Sequence, residues 1–195
     1  MEISIEQIKK LKELSGAGLT DAKNALVEAD GDFDKALDAM RKKGLTKAEK
    51  RGDREAREGL IEAYIHDGRL GAIVEVNCET SFVAKTDEFK TLAHQIAMQI
   101  ASMNPLYISE ADIPEADMAA KMKELEANFK GPENMKEQIL SGQVKKAFSD
   151  KVLLNQPYIL DDSKTVEQFI KEAIAKTGEN IVVRQFKRIE LGVTE

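Results

Sequence analysis

The sequence predicts an α+β protein: a three-helix N-terminal module, then a small three-stranded antiparallel sheet packed with helices and a helical hairpin. Three observations carry this. Short amphipathic segments separated by glycine breaks fill residues 1–44. Two alternating apolar runs flank Asp67-Gly68, and a third β-rich run, NIVVRQFKRIEL, lies near the end. Between them, apolar residues recur at helical spacing. The expected organisation is a module over 1–45, a charged linker over 46–57 and an α+β core over 58–195.

In the first segment Ser4 and Gln7 form a capping-box pattern, and Ile5, Ile8, Leu11 and Leu14 share a face. Gly16-Ala17-Gly18 breaks the helix. Thr20 is the expected cap of the second, with Ala22, Ala25, Leu26 and Ala29 as its stripe. Gly31 breaks again, and Asp32 caps a third helix carrying Phe33, Ala36, Leu37 and Met40, with Gly44 as the expected stop. Three helices this short make a compact module of the ubiquitin-associated type. Its apolar content is thin, which leaves its loop free to dock a partner.

GLIEAYIH and RLGAIVEVN surround Asp67-Gly68, a pair that favours a two-residue hairpin turn. That turn would oppose Ile65 to Leu70, Ala63 to Ala72 and Ile61 to Val74, placing all of them on the core face with Val76. Thr86 is the expected cap of a helix displaying Phe89, Leu92, Ile96, Ile100 and Met103, stopped at Asn104-Pro105. Met118, Met122, Leu125 and Phe129 mark another helix, and Met135, Ile139, Val144 and Phe148 a third. The KGPE connection folds these two back as an antiparallel hairpin. VLLNQPYI reads as extended, Ser163 as a cap for Val166, Phe169, Ile170, Ala173 and Ile174, and Gly178 as the end of that helix. The last β-rich run joins the hairpin as its third strand.

Composition narrows the function. The 33% charged and 42% apolar residues describe a soluble protein with a charged surface. No apolar run approaches the roughly 18 residues of a membrane span, and MEISIEQIKK carries acids where a secretory signal would not. The single Cys78 leaves no disulfide framework and suits a reducing cytoplasm; at a strand end it reads as a buried, inert thiol. The formal charge of −6 argues against broad nucleic-acid binding. The local exception is Arg41 to Arg57, with eight basic residues against three acidic, read as a solvated, partly helical linker.

The stretch VNCETSFVAKTDEF, Val76 to Phe89, passes from strand to helix through a polar turn holding Phe82 and Val83 beside Thr80 and Ser81. A large aromatic there either packs into its own core, the commoner outcome, or stands out as an anchor for a partner. The search for chemistry is otherwise negative. No phosphate-binding glycine motif is present, and Gly16-Ala17-Gly18 lies between helices, not after a strand. His66 and His94 have no metal-ligand spacing around them, and His94 reads as solvated. The expectation is a binding protein, neither an enzyme nor a cofactor or metal protein.

Three stretches then resemble bacterial translation elongation factor Ts, the guanine-nucleotide exchange factor for elongation factor Tu. They are LKELSGAGLTDAKNALVEADGDFDKALDAMRKKG, EVNCETSFVAK and SKTVEQFIKEAIAKTGENIVVRQF, in the family's order. The resemblance implies that the chain binds the GDP form of elongation factor Tu, disturbs its Mg²⁺ and phosphate site and promotes GDP release during elongation. The residues implied are Thr80, Ser81, Phe82 and Val83 in the inserted turn, followed by Ala84. Gly16, Ala17, Gly18 and Leu19 form the N-terminal docking loop, extended by Thr20 and Asp21. It implies no cofactor, no direct nucleic acid, no membrane, and a cytoplasmic location.

Two departures stand out. Ser81 replaces the family's aspartate, removing a carboxylate from the turn. The core is also short; similar short members act as homodimers, which implies a homodimer here. Against this, the module and basic stretch leave ribosome or RNA docking open, and a hidden carboxylate site leaves an enzyme open.

Overall fold

The computed structural model describes residues 3–129, 132 and 135–193. Helix α1 (Ile5–Ser15) opens with the Ser4–Gln7 capping box and ends at Gly16 in the left-handed conformation. Helix α2 (Leu19–Glu28) is capped by the backbone of Gly18, not by Thr20, which lies inside its first turn. Helix α3 (Phe33–Glu49) begins where Asp32 accepts a bond from the Lys35 amide at 3.1 Å. Leu11, Ala22, Leu26, Ala36 and Met40 form the module's own small core, with Ile8, Phe33 and Leu37 against it. Ile5 and Leu14, expected on the stripe of α1, stay exposed.

Gly44 does not stop α3. The helix continues to Glu49, because Gly44 gives the close approach that α8 (Val166–Thr177) needs: a Cβ there would stand 3.2 Å from Ala175 Cβ. Ala48 is buried in the main core. The helix therefore crosses the 45/46 boundary, and in the stretch read as a solvated, partly helical linker Ala48 and Ala56 form a buried seam while Glu49, Lys50 and residues 52–55 stay exposed. Beside it, a cleft of about 440 Å³ opens between α1, α3, α8 and the start of α5 (Asp87–Met103), floored by Met40, Phe89, Leu92, Phe169 and Ile181.

Strands β1 (Glu58–His66), β2 (Leu70–Cys78) and β5 (Val182–Glu190) form an antiparallel sheet in the order β1-β2-β5. The hairpin register differs from the expected one. Arg69 joins Asp67 and Gly68 in a three-residue loop, its amide bonding the His66 carbonyl at 2.9 Å, and pairing resumes at His66–Leu70. Tyr64 thus faces Ala72, and Leu60 faces Val76. A shift of one residue turns a whole strand over. Ala72, Val74 and Val76 still point at α5, but Ile61, Ala63 and Ile65 now lie on the outer face with Ile73 and Ile189.

The main core is built from β2, α5 and α8, with Leu153, Ile181 and Val183 filling in. Thr86 caps α5 as expected, accepting from the Phe89 amide at 3.2 Å, and Asn104 ends it in the left-handed conformation. Helices α6 (Glu115–Ala127) and α7 (Lys136–Ser149) pack as the expected hairpin. Phe148 and Val144 sit at its base with Met122 and Leu125. Except for Pro132, the KGPE connection lies outside the described residues. A short ribbon of β3 (Pro157–Tyr158) and β4 (Asp161–Thr165), unforeseen from the sequence, precedes α8. It moves the cap of α8 from Ser163 to Thr165, which forms a capping box with Gln168, while Ser163 bonds Asp161 instead.

Candidate partner-binding site

Ser81–Ala84 forms a single helical turn, α4, between β2 and α5. Thr80 caps it, its hydroxyl accepting from the Val83 amide at 3.5 Å. One turn spreads its four side chains around the axis. Ala84 is buried and Val83 packs against the main core, so Phe82 is directed outward and is 84% exposed. Of the two fates open to this aromatic, packing into its own core is therefore ruled out. Nothing among the described residues covers it.

The backbone beneath Phe82 is held on several sides. The Glu179 carboxylate accepts from the Glu79 amide at 3.1 Å, the Thr80 amide at 3.0 Å and the Thr80 hydroxyl at 2.6 Å. The Glu79 carboxylate in turn accepts from the Asn180 amide at 2.6 Å and lies 3.5 Å from Arg54. Below, the Cys78 thiol donates to the Thr80 carbonyl at 3.2 Å. Burial and then the nearby Glu179 charge push that thiol's pKa up, so it stays protonated, in keeping with an inert residue.

The N-terminal loop is placed differently. Gly16 packs onto the last turn of α8, where a Cβ would overlap Lys176 Cγ. Ala17 sits against the module core, Gly18 begins α2, and Leu19 is 55% exposed. Thr20 is exposed and Asp21 lies 3.6 Å from Lys43. The two segments thus rest on one corner, since Lys176 and Glu179 are three residues apart. The fourth turn residue, Val83, and Ala17 serve as anchors within the fold rather than as outward contacts. Glu179 had no role in the sequence reading; a lone carboxylate after a helix-ending glycine carries no signal until the fold brings it to Thr80.

The histidines also meet across elements. His94 Nδ1 lies 3.0 Å from Glu62, and the His94 and His66 rings flank Tyr64, with centroids at 5.6 and 6.1 Å. His94 is thus a half-exposed partner of β1 rather than simply solvated. Among the described residues, no group of three or more His, Cys, Asp and Glu side chains is arranged to hold a metal ion, and no helix is long and apolar enough to cross a membrane.

Comparison with known proteins gives the chain a family. The profile of the family described as "Elongation factor TS" matches residues 45–193. The "Elongation factor Ts" of Thermotoga maritima is 51% identical over 195 residues, covering 98% of both chains. The chain belongs to the elongation factor Ts family. Its relative from Thermoanaerobacter sp. (strain X514) is 50% identical over 194 residues, covering 97% of this chain and 95% of the relative. That from Rippkaea orientalis is 51% identical and is longer, with 79% of it covered. Family membership makes this a translation elongation factor.

Proposed function

We propose that this elongation factor Ts chain is the nucleotide exchange factor for elongation factor Tu, acting through Phe82 as a wedge. The observation that carries the reading is Phe82 itself: 84% exposed, on a backbone held by Glu179 and Cys78. An exposed aromatic on a rigid mount can enter a partner's nucleotide site without first being ordered, so little of its contact energy is lost to conformational entropy. The turn Thr80–Val83 and the loop Gly16–Leu19 contact the GTPase domain. Phe82 disturbs the Mg²⁺ and phosphate site, and GDP leaves. By linkage, a factor that prefers the nucleotide-free partner weakens nucleotide binding by the same ratio. The chain makes and breaks no covalent bond in this scheme, so it acts as a non-enzymatic binding protein in the cytoplasm.

The proposed active form is a homodimer joined through the outer face of the sheet. Ile61, Ile65, Ile73 and Ile189 are 68, 71, 46 and 74% exposed there. They lie on adjacent strands, an apolar face of the kind two copies can cover in common. Direct nucleic-acid contact forms no part of the proposal. Several cations of the basic stretch are engaged within the chain: Arg51 with the Ile174 carbonyl, Arg54 with Glu79 and Arg57 with Glu55.

The test is release of labelled GDP from elongation factor Tu in the presence of substoichiometric chain. Acceleration with turnover is expected, and release no faster than the spontaneous rate overturns the proposal. Sedimentation of the unchanged chain and of Ile65→Glu checks the dimer: a monomer with full exchange activity removes it.

A further inference from the structure

We infer that Glu179, backed by Asn180, is a positioning residue that aims the wedge and holds it in register with the N-terminal module. This rests on the exchange reading above. A helix of one turn cannot hold its own conformation in water, so the direction of Phe82 depends on what fixes the residues before it. Packing of Val83 and Ala84 sets the depth of the turn. Its exit from β2 is set by the single carboxylate that takes both the Glu79 and Thr80 amides and the Thr80 hydroxyl. Such charge-assisted bonds are roughly twice as strong as neutral ones.

The clasp is reciprocal, and it reaches the segment that joins the module to the core. Glu79 takes the Asn180 amide, while the buried Asn180 side chain donates to the carbonyls of Gly52 at 3.1 Å and Arg54 at 2.7 Å. Residues 52 and 54 lie three and five positions beyond the end of α3, the helix that carries the module against α8. Gly178, in the left-handed conformation, turns the chain out of α8 so that residues 179 and 180 reach both neighbours. One corner therefore joins the wedge turn, the end of α8 and the seam after α3.

The measurement is GDP release from elongation factor Tu as a function of chain concentration, giving a maximal rate and a half-saturating concentration. Unchanged chain, Glu179→Ala, Glu179→Gln and Phe82→Ala are compared. Misaiming is felt at the step where the wedge acts, so Glu179→Ala should lower the maximal rate about tenfold or more and move half-saturation less than about threefold. In Glu179→Gln the side-chain amide keeps an acceptor for the two backbone N–H groups and can donate to the Thr80 hydroxyl, so this variant should stay within about threefold of the unchanged chain. A merely structural role would lower the melting temperature and shift half-saturation instead. If Phe82→Ala retains full exchange, the wedge reading fails and this inference with it. If Phe82→Ala is inactive and Glu179→Ala keeps its maximal rate, only the positioning role is overturned. Should Glu179→Ala not fold, Glu179→Asp, which keeps the charge but not the reach, replaces it; equal maximal rates for the Asp and Gln variants then overturn the inference.

Discussion

The two segments proposed to contact the partner, the wedge turn and the N-terminal loop, carry the same kind of residue on opposite kinds of mount. Phe82 projects from a backbone whose neighbours are bonded to Glu179, to Cys78 and, through Val83, to the main core. Leu19 projects from a break between two short helices, in a module whose core is five small and medium side chains. The first mount is built into the largest core of the protein; the second leans on it at Gly16 and along α3. A rigid mount suits a residue that must distort its partner, since its position is fixed before contact. A lightly packed mount suits a residue that only needs to follow the partner's surface.

The largest expected effect comes from removing the second mount at two different points. Deleting residues 1–43 should leave a folded core. Deleting 1–52 also removes Ala48 from the main core, the bond from Arg51 to Ile174 and the Gly52 acceptor of Asn180. At about 1 kcal/mol for each lost bond and a comparable loss for the alanine, the longer deletion should cost roughly 3 kcal/mol more, or about 6–12 °C of melting temperature. Thermal melts of the two truncations measure it. Equal melting temperatures would mean that the seam after Gly44 contributes nothing to the core.

The seam also shows what the sequence could reveal. Where local pattern and tertiary need agree, element and cap were legible: Ser4 with Gln7, Asp32, Thr86, Asn104 and Gly178 all act as expected. Gly44 was misread because a helix-ending glycine and a glycine needed for close helix packing look the same without the neighbour. The hairpin register was misread because β1 has apolar residues on both faces, so only the loop length decides which face is core. Phe82 was legible as a candidate on local grounds, but its direction depends on Val83 and Ala84 finding the core. Glu179 could not be seen at all, since its partners lie about a hundred residues away.

Single truncations at the two mounts should then separate rate from affinity. Phe82→Ala removes an exposed side chain, so its melting temperature should stay within about 2 °C of the unchanged chain. The maximal exchange rate should fall about a hundredfold, roughly 2.7 kcal/mol. Leu19→Ala should raise the half-saturating concentration by about tenfold or less and leave the maximal rate alone, as expected of uniform binding. Concentration series of GDP release read both quantities. If Leu19→Ala lowers the maximal rate as much as Phe82→Ala does, the two segments act as one wedge and the contrast between them fails.

A smaller effect tests how the loop leans on the core. Gly16 has φ of 66° and faces Lys176 with no room for a Cβ. Gly16→Ala should therefore destabilise by about 1–2 kcal/mol from the left-handed backbone alone, with a steric part added. The overlap is with Lys176 Cγ, next to the backbone, and Lys176 Cα and Cβ lie only 3.3 Å away, so the end of α8 itself must give. Gly16→Ala with Lys176→Ala should recover only the steric part. A denaturant titration of the single and double variants gives the two components, and full recovery in the double variant would mean that the backbone conformation costs nothing.

The finest comparison uses thiol chemistry to ask how often each mount opens. Cys78 is fully buried under the wedge turn, and burial, then the Glu179 charge, raise its pKa. The sign matters for the pH range. A raised folded-state pKa adds stability that is complete below the ordinary thiol value and is lost as pH climbs through the raised one. Between about pH 7 and pH 8.5 the folded thiol is therefore less ionised than an ordinary cysteine, and reaction must wait for opening. A Leu19→Cys variant carries one cysteine on each mount. Mass spectrometry of alkylation over time should show one fast label, at residue 19, and one slower by about a thousandfold or more, the ratio expected when opening costs at least 4 kcal/mol. The slow rate should also track global unfolding when mild denaturant is added. Labelling of Cys78 at a rate independent of denaturant would show that the wedge turn opens by itself while the core stays folded. In that case Phe82 is on a mobile mount after all, and the rigid-mount account of its action would have to be given up.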